Sequence, residues 1–227
     1  MPMQDHTNRA FDIDLDGMRS ALMMMGGLVE KQIDRAVRAC TRLDLALASQ
    51  VLSDEEVVNS LQMQVDLLCN QIIARRQPIA IDLREVIASI HTVNDLERIG
   101  DEAKKIVIKA RSLQQLSSIG DLPLARIEIM GGRAAAMMRH ALNAFLRQDT
   151  KALSMLTKAD AEIDALRDEL HADLMRIMAE KPSMVTTCVD LVFIVQSIER
   201  IGDHSKNVAE YIVNVVEGID MRHSVAP

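Results

Sequence analysis

The chain has 227 residues and a formal net charge of −7; 48% of it is hydrophobic but only 2% aromatic, with no Trp. That acidity argues against a nucleic-acid binder held by phosphate contacts, and the scarcity of aromatics argues against a stacking platform for single strands. The apolar residues are Leu, Ile, Val, Ala and Met, with nine Gly and five Pro, a composition that predicts an all-α fold in one large or two modest domains.

Cys40, Cys69 and Cys188 are far apart and odd in number, so a disulfide framework is not expected and a reducing, cytoplasmic setting is the default. Met1 to Gly17 is acidic and lacks the basic and apolar regions of a signal peptide. The longest apolar stretches, Ala21–Val29 and Val189–Val195, are too short to span a bilayer, so any membrane contact is expected only through a partner or at the periphery.

In chain order, residues 1–13 read as a polar, flexible arm. A helix is predicted from about Asp14–Gly17 to Arg42, with Leu22, Leu28, Val29, Ile33, Val37 and Cys40 inward. Asp44 is the preferred N-cap of a second helix that runs to about Arg76 on the stripe Val58, Leu61, Val65, Leu68, Ile72; Ser53 and Glu56 offer a later capping box. Gln77-Pro78 ends it, and a third helix covers roughly 80–116. Residues 117–123, Ser-Ser-Ile-Gly-Asp-Leu-Pro, are the one clear linker.

The pattern then restarts. Gly26-Gly27 is matched by Gly131-Gly132, Asp44 by Asp149 and Glu55 by Asp160, each 105 positions on. Helices are predicted over roughly 124–147, 150–180 and 183–217, with Lys181-Pro182 as the break. The expected architecture is two tandem, pseudo-symmetric antiparallel three-helix bundles, residues 14–118 and 119–218, followed by a tail over 219–227.

The third helix of each unit carries Glu-Arg-Ile-Gly-Asp, at 97–101 and again at 199–203. Glu and Asp four apart share one helix face, where like charges repel, and the intervening Gly costs about 1 kcal/mol against Ala. Gly100 and Gly202 fall within the packed face, where a missing side chain lets another helix approach. Counting back from the Pro turns sets Asp160 and Asp164 level with Glu199 and Asp203, and Glu55 and Asn59 level with Glu97 and Asp101. Glu210 returns to the face of Glu199 as a possible further ligand; its counterpart Ile108 cannot coordinate. A cation held between the carboxylates is the expected compensation, and an all-oxygen set suits Mg, Mn, Ca or Fe ahead of Zn. The bland alternatives are a solvated acidic face, or neutralisation by Arg98 and Arg200, whose side chains project about 100° away from their Glu neighbours. The Met runs 23–25 and 137–138 read as core filler before adaptable surface. Asp168 and His171 form an isolated potential ligand pair, and Asp82-Leu83-Arg84 a helix cap or a partner contact.

These residues resemble the PhoU family over nearly the whole chain. The resemblance rests on Gln77-Pro78-Ile79-Ala80-Ile81-Asp82-Leu83-Arg84, on Asp95-Leu96-Glu97-Arg98-Ile99-Gly100-Asp101, and on Glu199 to His204 with Asn207-Val208-Ala209-Glu210 after it. It implies two pseudo-symmetric three-helix bundles and Glu/Asp-x-x-x-Asp motifs able to hold metal, sometimes as multinuclear clusters. It also implies a cytoplasmic, often homodimeric repressor of the phosphate-starvation response. Such a protein would couple the ATPase subunit of a phosphate ABC transporter to a phosphate-sensing histidine kinase. Three positions depart from the pattern: Lys105 stands where Asn is frequent, Ser197 where Asp is common, and Asn59 where the second half has a carboxylate. An enzymatic rival, a di-iron carboxylate oxidase or metal-dependent hydrolase, lacks the Glu-x-x-His pairs that ferritin-like bundles use. No Ser/His/Asp or Cys/His set and no phosphate loop is evident.

Overall fold

The computed structural model describes residues 9–113 and 122–219. The helices are α1 (Arg9–Arg42), α2 (Leu45–Arg76), α3 (Ala80–Leu113), α4 (Leu124–Arg147), α5 (Ala152–Glu180) and α6 (Val185–Glu217), with a single 3₁₀ turn at Pro182–Met184 between the last two. At 1.5 Å per residue, α1 and α3 are each about 50 Å long. The expected linker over 117–121, the boundary at 118/119, residues 1–8 of the arm and residues 220–227 of the tail lie outside the described residues.

Local chemistry sets the helix ends. The Asp44 carboxylate accepts hydrogen bonds from the Ala46 and Leu47 amides, the N-cap predicted for α2. Asp149 plays a reduced version of that role: its side chain accepts only from the Lys151 amide, and α5 begins two residues later than its counterpart, at Ala152. Gln77 and Gln148 close α2 and α4 in the left-handed region, and Gly218 does so for α6. The expected N-terminal arm is too long. α1 starts at Arg9, because Phe11 extends the buried row Leu15, Met18, Leu22 and Met25 by one more turn.

Helices α1, α2 and α3 pack on one another, as do α4, α5 and α6, giving the two bundles. The bundles are joined broadly by α3 on α6 and by α1 on α4. The second of these contacts explains the duplicated Gly pairs. A methyl group at Gly26 would strike Leu142, and one at Gly131 would strike Val37; Leu142 and Val37 are themselves 105 positions apart. The two contacts are therefore one contact repeated about a pseudo-twofold axis, with each helix lending its Gly to the other's branched side chain. Gly27 and Gly132 face open space and play no such part.

The α3–α6 contact obeys the same axis. The pair runs antiparallel: Arg84 at the start of α3 donates to the Val215 carbonyl near the end of α6, and Lys109 late in α3 meets Asp190 early in α6. Arg84 thus ties helix to helix and satisfies a terminal carbonyl of α6 rather than capping its own helix. The Met side chains divide: Met18, Met25, Met130, Met137 and Met138 are in the core, whereas Met23, Met24, Met63, Met155 and Met175 are exposed.

Candidate functional site: two acidic clusters astride a pseudo-twofold axis

In the first bundle, α2 and α3 come together at Gly100. A side chain there would meet Gln32 Oε1 at 3.1 Å, Val58 at 3.6 Å and Glu55 Oε2 at 3.9 Å. The missing Cβ lets the buried Glu55 approach Glu97 and Asp101. Burial raises the Glu55 carboxyl above its ordinary value, Lys104 opposes that shift, and Asp101 adds to it. Glu97 is raised by burial, then by Asp101 and Glu55. The mutual repulsion expected of this spacing is therefore present. One cation sits in the cluster: Lys104 Nζ lies 3.3 Å from Glu55 Oε1 and 3.7 Å from Asp101. Glu55 Oε2 is fully buried without a hydrogen-bond partner, as is Gln32 Oε1 beside it. Asn59 is half-buried one turn further along α2.

The second bundle repeats the arrangement at Gly202, where the nearest atoms belong to Ile163 at 3.3 Å and Asp160 at 3.7 Å. Glu199 is raised by burial and by Asp203, against the pull of Arg167. Asp203, the one exposed member, is raised by partial burial and then by Asp160 and Asp164. The four carboxylates thus converge, and two cations hold them. Lys206 Nζ is 2.8 Å from Asp160 Oδ2; Arg167 Nη1 is 2.6 Å from Glu199 Oε1 and 2.8 Å from Asp164. Glu210 acts on Lys206, whose ammonium it helps to stabilise, rather than joining the carboxylates.

The cations that bond the carboxylates are not the ones the sequence pointed to. Arg98 makes no ion pair with Glu97, although its charge opposes the rise in that carboxyl, and Arg200 approaches Glu102 on the other bundle at 3.5 Å. The missed residues are Lys104, Lys206 and Arg167. The signal was available in part: both motifs continue to Glu-Arg-Ile-Gly-Asp-x-x-Lys, and a Lys three residues past the Asp lies on the same face. His204 likewise avoids the cluster. Its Nδ1 is 2.8 Å from buried Asp95, which also accepts from Tyr211 at 2.8 Å and Asn207 at 3.3 Å, a polar clamp across the bundles.

With the carboxylates ionised, three acids and one ammonium leave the first cluster two net negative charges; four acids and two cations leave the second the same two. That residue of charge, the all-oxygen donor set and the unpartnered Glu55 oxygen fit a hard divalent cation. Among the described residues no three His, Cys, Asp or Glu side chains form a preformed cage, so a bound ion would have to displace Lys104, or Lys206 and Arg167. Asp168 is bonded to Arg167, and nothing joins it to His171 in such a cage.

A chain of two repeated three-helix bundles, with paired acidic motifs against Gly contacts, defines a class of duplicated all-helical proteins. The PhoU domain matches it twice, over residues 22–110 and 127–212. The "Phosphate-specific transport system accessory protein PhoU homolog" of Pseudomonas aeruginosa is 38% identical over 220 residues, covering 96% of this chain and 90% of that one. The PhoU of Escherichia coli bearing the same accessory-protein name is 34% identical over 221 residues, 97% of this chain and 91% of that one. The crystal structure of PhoU from Pseudomonas aeruginosa superposes with a TM-score of 0.86 at 36% identity, over 92% of this chain and all of that one. The Streptococcus pneumoniae phosphate transport system regulatory protein PhoU shares the fold at a TM-score of 0.83 and 23% identity. The chain belongs to the PhoU family.

Proposed function

We propose that this protein is an accessory regulator of phosphate transport and a negative regulator of the phosphate-starvation response. It would act in the cytoplasm by binding the ATPase subunit of a phosphate ABC transporter and a phosphate-sensing histidine kinase. The observation that carries the reading is kinship along almost the entire chain with relatives named for that system, two of them at more than a third identity. No described helix is long and apolar enough to cross a membrane, which fits contact with the membrane only through such partners. None of the relatives reported above is named as an oxidase or hydrolase, so the enzymatic rival gains nothing. The resemblance further supports a homodimer.

Within this role, Glu97, Asp101, Glu199 and Asp203 hold divalent metal, with Asp160, Asp164 and Glu55 as further ligands; Mg, Mn, Fe and Zn are the candidates. The ion would supply the two positive charges each cluster still lacks. The chain's own contribution is to hold the carboxylates at close quarters through Gly100 and Gly202. A phosphate-responsive reporter in a deletion strain tests the regulatory reading: expression should be high in phosphate-rich medium and return to low on complementation. Reporter activity that stays low and starvation-inducible without the gene refutes it.

A further inference from the structure

Between α3 and α6, on the pseudo-twofold axis that relates the bundles, lies a groove of about 340 Å³. Each helix contributes the same four positions to its wall. Arg98 and Arg200 are one pseudo-equivalent pair, Lys105 and Asn207 another. The acidic clusters reach the groove only at their rims, through Asp101 and Asp203. Asp101 is already beside Lys104, and Asp203 feels Lys206, so both carboxylates have counter-charges behind them.

Two features of the groove are incompletely bonded. Arg98 makes no ion pair or side-chain hydrogen bond among the described residues and acts on Glu97 only at longer range, although it carries five N–H donors. Arg200 is engaged only loosely, at 3.5 Å from Glu102. The second feature is Glu102 itself. It is 4% exposed, its Oε1 receives Lys105 at 2.8 Å, and its Oε2 is buried with nothing to accept from. An ionised carboxylate is acceptor-only, so that oxygen requires an O–H or N–H. A buried oxygen left so costs about 1–3 kcal/mol.

We propose that this groove binds hydrogen phosphate. Arg98 and Arg200 clasp the anion's charged oxygens from opposite sides of the axis, the planar fork geometry that suits a tetrahedral oxyanion. Lys105 adds a third positive charge where the other repeat has Asn207. On binding, the Glu102 side chain turns its buried Oε2 into the groove to accept a hydrogen bond from the P–OH group, a donor that phosphate offers at neutral pH and sulfate does not. The proposal rests on the phosphate-transport reading above, because it gives that regulator a site for the ion whose supply it reports.

Isothermal titration of the full chain in Mg²⁺-containing buffer with potassium phosphate, and separately with sulfate, tests it. Saturable phosphate binding at least tenfold tighter than sulfate is expected. R98A and R200A should each weaken phosphate at least tenfold while leaving helicity and thermal stability unchanged, since both side chains are exposed. E102Q, which can donate as well as accept, should narrow the gap between the two anions. No phosphate binding, equal binding of sulfate, or affinity untouched by R98A and R200A overturns the site. The two readings fail separately. A reporter that needs the gene, with a purified protein indifferent to phosphate, removes the site and leaves the regulator. Arg-dependent phosphate binding with a reporter indifferent to deletion does the reverse.

Discussion

The two acidic clusters share a backbone and a net charge yet differ in how that charge is dressed. Asn59 and Gln62 of the first bundle correspond to Asp164 and Arg167 of the second. One carboxylate and one guanidinium were exchanged together, so the balance is unchanged. The consequence falls on the Glu of the motif. In the second bundle Glu199 is met by Arg167 at 2.6 Å and by Gln196 at 2.5 Å. In the first, the equivalent residues Gln62 and Asn94 bond to each other at 3.0 Å, and no described cation or side-chain donor reaches Glu97 within bonding distance. Duplication conserved the field but not the wiring, and the first cluster is the one left with open ligands.

The sharpest break in the symmetry is at the interface between bundles. Asp95 is 3% exposed and receives three side chains of α6, whereas its counterpart Ser197 receives none that compare. Hydrogen bonds to a buried charge contribute about 1.5–3 kcal/mol each and do not add fully. Asp95→Ala should therefore lower unfolding free energy by about 3 kcal/mol in urea titration, and Ser197→Ala by less than about 0.5 kcal/mol. Equal effects would mean that the axis is energetically as well as geometrically symmetric.

The α1–α4 contact offers a milder contrast. A methyl at Gly131 meets both γ-carbons and the Cβ of Val37, which cannot rotate clear; a methyl at Gly26 meets the outer end of Leu142, which can. Overpacking costs about 1–3 kcal/mol, and Ala returns about 1 kcal/mol of helix propensity. Gly131→Ala should destabilise by about 2 kcal/mol and Gly26→Ala by less than about 1 kcal/mol, read from thermal and urea melts. A larger loss at Gly26 would show that Leu142 is locked.

Much of this was legible beforehand because it is written in periodicity. Six helices, the turn at Pro78, the Asp44 cap and the facing of Glu55 with Glu97, of Asp164 with Glu199 and of Asp160 with Asp203 follow from apolar spacing and from counting back across a short link. The start of α1 was misplaced because polar residues around Phe11 obscure one more apolar turn. The Arg167 clasp and the Asp95 clamp were hidden for a different reason. Both depend on which neighbouring helix a surface residue faces, and that is set by the docking of whole bundles, about which the spacing within one helix is silent.

Arg167 can be used to exchange the wiring of the two clusters. Arg167→Gln gives the second cluster the residue the first already has, and removes one of the two cations that an incoming metal must displace. Its affinity for Mn²⁺, measured by titration after chelation, should rise at least tenfold, about 1.4 kcal/mol, while Gln62→Arg should weaken the first cluster in the opposite sense. If neither substitution moves either affinity, the guanidinium does not compete for the ligands.

The smallest expected effect isolates Glu97 from Glu199 through pH. Both carboxyls are raised, chiefly by burial, so the native chain holds these protons more firmly than the unfolded one. Stability from such a group is fully present below its unfolded value, about 4.3, and is lost as pH rises toward the native value. Chelated protein should consequently gain stability on acidification from pH 7 toward 5. Glu97→Gln removes a charge that has no bonded partner, so at pH 7 it should melt slightly higher than the parent. Solvent screening of a partly exposed group keeps the gain below about 1 kcal/mol, or about 2 °C for a chain of this size. The difference should vanish near pH 4, where the parent is itself protonated. Glu199→Gln forfeits the Arg167 pair and should gain nothing at pH 7. A Glu97→Gln protein that melts lower than the parent, or two Gln variants that behave alike, would mean that Glu97 is held by a cation after all and that the clusters are wired identically.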